Sequence, residues 1–273
     1  MLLLLLLPVA VLLPPRARAV LPLPISLPGE IIGGQEARPH SRPYMAFVSI
    51  ETGEDGEGGS CGGFLIREDV VMTAAHCNCN LGDSASFKIS VLLGAHNVKK
   101  KREPGRQKIW VRRQIPHPEF NDETLENDIM LLQLAKRAKR NKWVKTIALP
   151  HVNEKVKPGI ICSVAGWGIT EKKTECTPDT LQEVDVKVLD DDVCLKNPNM
   201  NYPGYNASTG NYSLSCSHSV TRFIAQGDSG GPLVCGETAQ GIVSWGPKDE
   251  PPPGVYTRVS TFIPWIEAMM RKL

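Results

Sequence analysis

The sequence predicts an all-β fold, a barrel or sandwich finished by one C-terminal helix. Short β-branched and aromatic runs recur between turn signals along most of the chain, the pattern of many short strands. The 24 glycines and 22 prolines are scattered through the 273 residues, where they punctuate turns and do not build a long linker. Helical periodicity stays weak until residue 261.

In order, the strand candidates are Met45–Ile50, Phe64–Ile66, Val70–Thr73, Ile89–Leu93, Ile109–Val111, Ile129–Leu134, Ile160–Ala165, Leu181–Val188, Ile242–Trp245 and Val255–Val259. A chain of this length can bury one large core or two small ones, and no internal repeat is visible. After the last strand, Thr261-Phe-Ile-Pro-Trp-Ile-Glu-Ala-Met-Met reads as a capped helix with Pro264 near its first turn.

The start of the chain has another character. Leu2 to Leu13 is apolar apart from Pro8 and falls short of the ~20 residues that span a bilayer. It reads as the apolar region of a signal peptide and not as a membrane anchor; Ala17-Arg18-Ala19 offers a small-residue cleavage site, cleavage after Pro28 would be chemically awkward, and the position of the cut stays open. Eight cysteines follow, at 61, 77, 79, 162, 176, 194, 216 and 235. An even number behind an export signal points to a disulfide framework in an oxidising compartment, with a connectivity that spacing does not fix. Asn206 and Asn211 open Asn-X-Ser acceptors for glycosylation, which suits the secretory route.

Charge is close to balanced, with 31 Lys and Arg against 29 Asp and Glu. Loss of residues 1–30 would remove only Arg16, Arg18 and Glu30, so net charge by itself predicts no polyanion partner. No phosphate loop, nucleic-acid module or cofactor motif stands out. Cys77-Asn-Cys79 lacks metal-finger spacing, so neither a cofactor nor a metal is expected.

Three segments carry chemistry together: Thr73-Ala-Ala-His76-Cys77, Asn127-Asp128-Ile-Met-Leu-Leu, and Gly227-Asp228-Ser229-Gly230-Gly231-Pro232. A serine hydroxyl is a poor nucleophile near neutral pH and needs a base to take its proton during attack. Histidine suits that task, with an unperturbed pKa near ~6.5. A buried carboxylate can fix the imidazole tautomer, and glycines beside the serine let the backbone aim N–H groups at a developing oxyanion. A lone histidine is more often a surface or satisfied core residue, and a lone aspartate before apolar residues is more often a turn. Gly-Asp-Ser-Gly-Gly-Pro with Thr-Ala-Ala-His-Cys upstream makes accident a poor account.

With Ile31-Ile-Gly-Gly, Ala165-Gly-Trp-Gly168 and Ser244-Trp-Gly246 added, these motifs stand in the order of chymotrypsin-like proteases. The resemblance spans residues 31–273. Pro39-His-Ser-Arg-Pro-Tyr-Met-Ala, Leu93-Gly-Ala-His-Asn, Ile115-Pro-His-Pro and Asp128-Ile-Met-Leu-Leu-Gln-Leu are similar to granzymes and mast-cell chymases. The resemblance implies two antiparallel six-stranded barrels, over 31–141 and 142–260, and a terminal helix over 261–273. It implies His76 as general base, Asp128 as its orienter, Ser229 as nucleophile, and the backbone N–H groups of Gly227 and Ser229 as oxyanion donors. It further implies removal of Gly29-Glu30 by a dipeptidyl peptidase, after which the freed amino group of Ile31 pairs with Asp228. The same resemblance pairs Cys61 with Cys77, Cys162 with Cys235 and Cys194 with Cys216. Cys79 and Cys176 are then left to pair with each other, to stay free or to cross-link to another chain. Protein or peptide substrates, serpin-type inhibitors, and storage in a secretory or cytolytic granule before release also follow from the resemblance.

Specificity is less regular. Phe223, six residues before Ser229, stands where the family places the floor of the S1 pocket, Gly246 and Gly254 match its walls, and Ser244 and Trp245 complete the substrate-binding residues that the resemblance implies. A bulky apolar floor would disfavour Lys and Arg and suit small or medium apolar P1 residues. The plainer reading is a displaced loop with Phe223 turned elsewhere. Two basic stretches, Lys99–Arg102 continuing through Arg106, Lys108, Arg112 and Arg113, and Lys136–Arg140 continuing to Lys142 and Lys145, could hold heparin or a proteoglycan. The plainer reading there is a solvated loop balanced by Glu123, Glu126 and Asp190–Asp192. A catalytically silent granule protein that binds glycans or microbes is the competing function class, disfavoured by the presence of His76, Asp128, Asp228 and Ser229 together.

Overall fold

Strand β2 (Met45–Glu51) pairs antiparallel with β3 (Ser60–Arg67) on one edge and with β5 (Lys88–Leu93) on the other. The ring continues through β4 (Val70–Thr73), β7 (Met130–Leu134) and β6 (Gln107–Pro116) and closes in the order β2-β3-β4-β7-β6-β5. The computed structural model describes residues 34–51, 58–78, 88–168, 178–191, 214–218, 227–245 and 254–273, with the backbone alone at 214–218 and at Trp245.

A second ring forms from β8 (Ile161–Gly166), β9 (Gln182–Val188), β10 (Leu214–His218), β11 (Pro232–Cys235), β12 (Thr238–Trp245) and β13 (Gly254–Arg258). Its order is β9-β10-β13-β12-β11-β8, and β8 pairs back onto β9. A short strand β1 (Gln35–Glu36) is added to the outer edge of β9. The protein is therefore all-β, with two antiparallel barrels and a C-terminal helix α1 (Ile263–Met270).

Burial follows the strand period. β9 alternates buried and more exposed residues, as a strand with one wet face must. β4 and β7 are buried along their whole length because they face the barrel interior on one side and the rest of the molecule on the other. Ile129, Met130, Leu131 and Leu132 are all 0% exposed, and burying each such side chain contributes about 1.5–3 kcal/mol. That run fixes the position of the residue just before it, Asp128. One apolar cluster extends from the first barrel to Val234, Ala239 and Ile242 of the second ring and to Phe262, Ile263 and Ile266 of the C-terminal segment.

The sequence runs mark most strands, though β3 and β12 extend beyond theirs and others fall short. β1 and β10 carry no run that stands out from turns, and β11 is legible only as the apolar residues behind the Gly-rich turn. β6 is longer than Ile109–Val111, because Lys108, Arg112 and Arg113 ride the exposed face of a barrel strand and hide its alternation. The helix is present, but Thr261 does not cap it. A 3₁₀ turn over Val259–Phe262 already winds the chain there, and the N-cap position falls on Phe262 with no side-chain cap.

Candidate active site

The register of two paired strands sets the site. β4 and β7 run antiparallel with Thr73 opposite Met130, so the residues that leave β4 lie beside those that enter β7. His76 sits in a 3₁₀ turn over Ala75–Cys77 just after β4. Asp128 lies just before β7, in a tight turn where Ile129 N–H donates to Asn127 O at 2.8 Å and Asn127 has φ of 57°. His76 and Asp128, distant in sequence, thus meet at one rim of the first barrel.

Their contact is twofold. His76 Nδ1 lies 2.8 Å from Asp128 Oδ2, and the His76 backbone N–H donates to Asp128 Oδ1 at 2.9 Å. A carboxylate only accepts, so Nδ1 carries a proton, and in the neutral ring the lone pair is then on Nε2. Asp128 is wholly buried while the His76 side chain is 26% exposed, so the imidazole bridges an enclosed acid and an open surface. Ser244 Oγ, on β12, donates a third hydrogen bond to Asp128 Oδ2 at 2.5 Å. Three donors offset the cost of burying the acid, which would be large without them.

The Gly-rich turn reaches the same place from the second ring. The Ser229 carbonyl accepts Gly62 N–H at 2.8 Å, across from β3. Cys61, next to Gly62, is disulfide-bonded to Cys77, next to His76. The backbone of Ser229 is therefore tied to the element that carries His76. Gly227 and Gly230 have φ of 102° and 83°, backbone that favours glycine. A Cβ on Gly230 would stand 2.1 Å from Thr73 Oγ1 and 2.5 Å from Gly62 O, so no side chain fits between the barrels there. The Gly230 and Gly231 N–H groups are spent inside the fold, on Val243 O and Asp228 O.

Asp228 is 1% exposed and accepts Gly168 N–H at 2.9 Å. A Cβ at Gly166 or Gly168 would collide with its carboxyl group, at 2.0 Å from Oδ1 and 2.6 Å from Cγ respectively. The Ala-Gly-Trp-Gly motif thus clears the space that this buried acid fills.

Other expected residues divide between the described parts and the rest. Cys162 and Cys235 are disulfide-bonded, and Gly254 opens β13 in a buried position. Trp245 is placed by backbone only, opposite Val255. Gly29, Glu30, Ile31, Cys79, Cys176, Cys194, Asn206, Asn211, Phe223 and Gly246 lie outside the described residues, and Cys216 is placed only by its backbone in β10. Among the described residues no group of His, Cys, Asp and Glu gathers in a way that could hold a metal, and no helix is long and apolar enough to cross a membrane. Sequence reasoning missed two hydroxyls, the Ser244 contact above and Thr257 Oγ1, which donates to Asp128 O at 2.8 Å.

The basic stretches meet at one end of the first barrel. Lys139 and Gln107 exchange two hydrogen bonds, Gln107 Nε2 to Lys139 O at 2.9 Å and Lys139 N to Gln107 Oε1 at 2.8 Å. Arg106 does not join the surface cluster, because its guanidinium turns inward to the carbonyls of Asn97, Val98 and Lys100. The nearby acids also differ from those expected: Lys99 pairs with Asp179, Lys108 with Glu51 and Arg137 with Glu68, while Asp191 serves Arg258.

Comparison with known proteins agrees with this geometry. The family model described as Trypsin matches residues 31–266. Duodenase-1 of Bos taurus is 50% identical over 244 residues, covering 89% of this chain and 90% of that protein. Granzyme B of Rattus norvegicus is 48% identical over 247 residues, 89% of this chain and 92% of that one. Cathepsin G of Homo sapiens is 46% identical over 243 residues, 89% and 88% of the two. A solved structure, "Structure of GrC", superposes with a TM-score of 0.77 at 43% identity, covering 88% of this chain and all of that one.

Proposed function

The chain belongs to the trypsin family and is a serine endopeptidase of the granzyme and chymase type, and from that premise we propose that Ser229, His76 and Asp128 carry its reaction. The observation that supports this most directly is the doubly bonded His76–Asp128 pair beside the turn that bears Ser229. Ser229 Oγ attacks the scissile carbonyl carbon while His76 Nε2 takes its proton. The oxyanion accepts hydrogen bonds from the N–H groups of Gly227 and Ser229. His76 then returns the proton to the leaving amine, which departs as the acyl-enzyme forms. Water, activated by the same nitrogen, hydrolyses that ester and frees Ser229. Asp128 holds the tautomer and steadies the imidazolium without taking the proton.

The preferred P1 residue is apolar and small to medium. Phe223 offers no carboxylate to a Lys or Arg side chain, and a buried unpaired cation is costly. By the resemblance, glycines at the family's two wall positions, 246 and 254, bring no side chain that would narrow the pocket. The enzyme is made with residues 1–30 as an export and activation segment, trimmed at Glu30 by a dipeptidyl peptidase, and stored in a secretory granule. Its basic face holds heparin-like polyanions, and serpin-type proteins are the class of inhibitor it would meet.

Fluorophosphonate labelling of chain 31–273 tests the reading. The parent should label and the Ser229→Ala variant should lose label and peptidase activity, a drop of about 10⁵-fold or more. A P1 library should then favour apolar over basic residues. A folded, correctly trimmed parent that takes no label would replace this reading with a silent, glycan-binding protein, and Lys or Arg preference would overturn the pocket assignment.

A further inference from the structure

We infer that Thr257 is a positioning residue for Asp128, gripping the backbone of that acid from the opposite barrel. The inference rests on the reading of Asp128 as the group that orients His76. Asp128 stands at the entry to β7 in the first barrel, yet both hydroxyls that contact it come from the second. Ser244 of β12 donates to its carboxylate at 2.5 Å, and Thr257 of β13 donates to its main-chain oxygen at 2.8 Å. β12 and β13 are paired, with Ile242 opposite Thr257 and Val243 opposite Tyr256. The two hydroxyls therefore project from a single ladder and act as two fixed points on one residue.

The grip matters because the turn at Asp128 is tight. Ile129 N–H bonds to Asn127 O across Asp128, and both Leu125 and Asn127 hold positive φ, 55° and 57°. Backbone of this kind persists where its surroundings over-determine it. Asp128 and Thr257 are both 0% exposed, so a carbonyl deprived of the Thr257 donor has no solvent to turn to. The turn would relax, and the carboxylate would swing with it. Asp128 meets His76 at two points, the ring nitrogen and the backbone N–H, at 2.8 and 2.9 Å. A small rotation of the turn spoils both.

The experiment compares Thr257→Val, which keeps the shape and removes the donor, with Thr257→Ser, which keeps the donor. Rates are normalised to active sites titrated with a fluorophosphonate. Thr257→Val should lower kcat about tenfold with KM within about twofold, since the contact orients the chemistry and not the substrate. Its low-field proton resonance, arising from the His76–Asp128 hydrogen bond, should broaden or move. Thr257→Ser should keep both the parent kcat and the parent resonance. Should Thr257→Val fail to fold, Thr257→Ala takes its place with the same expected readouts. A donor-less variant with the parent kcat and resonance, and only a lower melting temperature, overturns the inference and leaves a structural role. Asp128→Asn separates the two levels: full activity in that variant would sink the orienting role of Asp128 itself.

Discussion

Burial against Phe262 and Trp265 holds the His117 imidazole below the ordinary histidine range, with Glu119 pulling weakly the other way. The ring lies 5.2 Å from Phe262 and 5.0 Å from Trp265, and its Nδ1 accepts the Glu119 N–H at 3.2 Å. Protonation would turn that acceptor into a donor facing a donor. Unfolded histidine titrates near ~6.5. Below that pH the unfolded chain binds a proton that the folded chain refuses, so folding stability falls as pH falls. Above it both states are neutral and this contribution is flat. The melting temperature should therefore decline on acidification from about pH 6.5, and His117→Phe, which keeps the aromatic packing, should flatten that part of the curve. A variant with the parent slope would show that other groups carry it. His117 was visible in the sequence only as part of a family-like motif, since nothing local says which rings will cover it. His76 and Ser229 stood out because each carries a local signature: glycines that the turn at Ser229 requires, and a disulfide-bonded cysteine beside His76. Ser244 and Thr257 were not legible as partners of Asp128. The residues joined lie 116 and 129 positions apart, and only barrel closure brings them together.

At the scale of elements, the segment from Asn97 to Arg106 is built to hold its tip outward. Glu103 accepts the backbone N–H groups of His96 and Asn97, and Arg106 binds three carbonyls of the same loop. Lys100, Lys101 and Arg102 are left exposed on this brace. The second basic segment is locked to it through Gln107 and Lys139, and Lys142 lies over the Trp143 ring at 4.5 Å, with that ring packed against Gly105. Two runs read separately in the sequence are joined through Gln107 and Lys139, and a local cationic patch can act despite a near-neutral total. Neutralising Lys100, Lys101 and Arg102 should lower the salt needed to elute the protein from heparin. Neutralising Lys139, Arg140 and Lys142 should lower it too, and the combination should lower it further, because screening acts on the whole patch. Elution of both sets with the parent would dismiss the face as a polyanion site. The same charges explain why β6 was under-read: a strand with Lys108, Arg112 and Arg113 on its wet face looks like a loop until its partners β5 and β7 supply the pairing.

Across the whole molecule, the described N-terminal segment is tied to the second barrel. β1 pairs with β9 through Gln35 opposite Glu183 and Glu36 opposite Gln182, and Ala37 N–H bonds to Leu181 O at 2.8 Å. The chain a few residues after Ile31 is thus anchored to the ring that carries Asp228 and the Gly-rich turn. Asp228 is buried in the space that Gly166 and Gly168 clear for it, immediately beside Ser229. Asp228 already accepts Gly168 N–H, and a cation placed beside an enclosed carboxylate would stabilise it further. Trimming at Glu30 would supply that cation as the amino group of Ile31, whereas a chain that keeps Glu30 has an uncharged peptide link at the same position. The two forms differ little in composition and should differ greatly in the order of the turn that presents Gly227 and Ser229. Loss of one oxyanion donor alone costs about 100- to 1,000-fold in rate, so the form that begins at Gly29-Glu30 should acylate at least about a hundredfold more slowly than the form that begins at Ile31. Trimming it with a dipeptidyl peptidase should restore the full rate without refolding. Equal acylation by the two forms would separate Asp228 from activation and leave it as a buried brace for the Gly-rich turn.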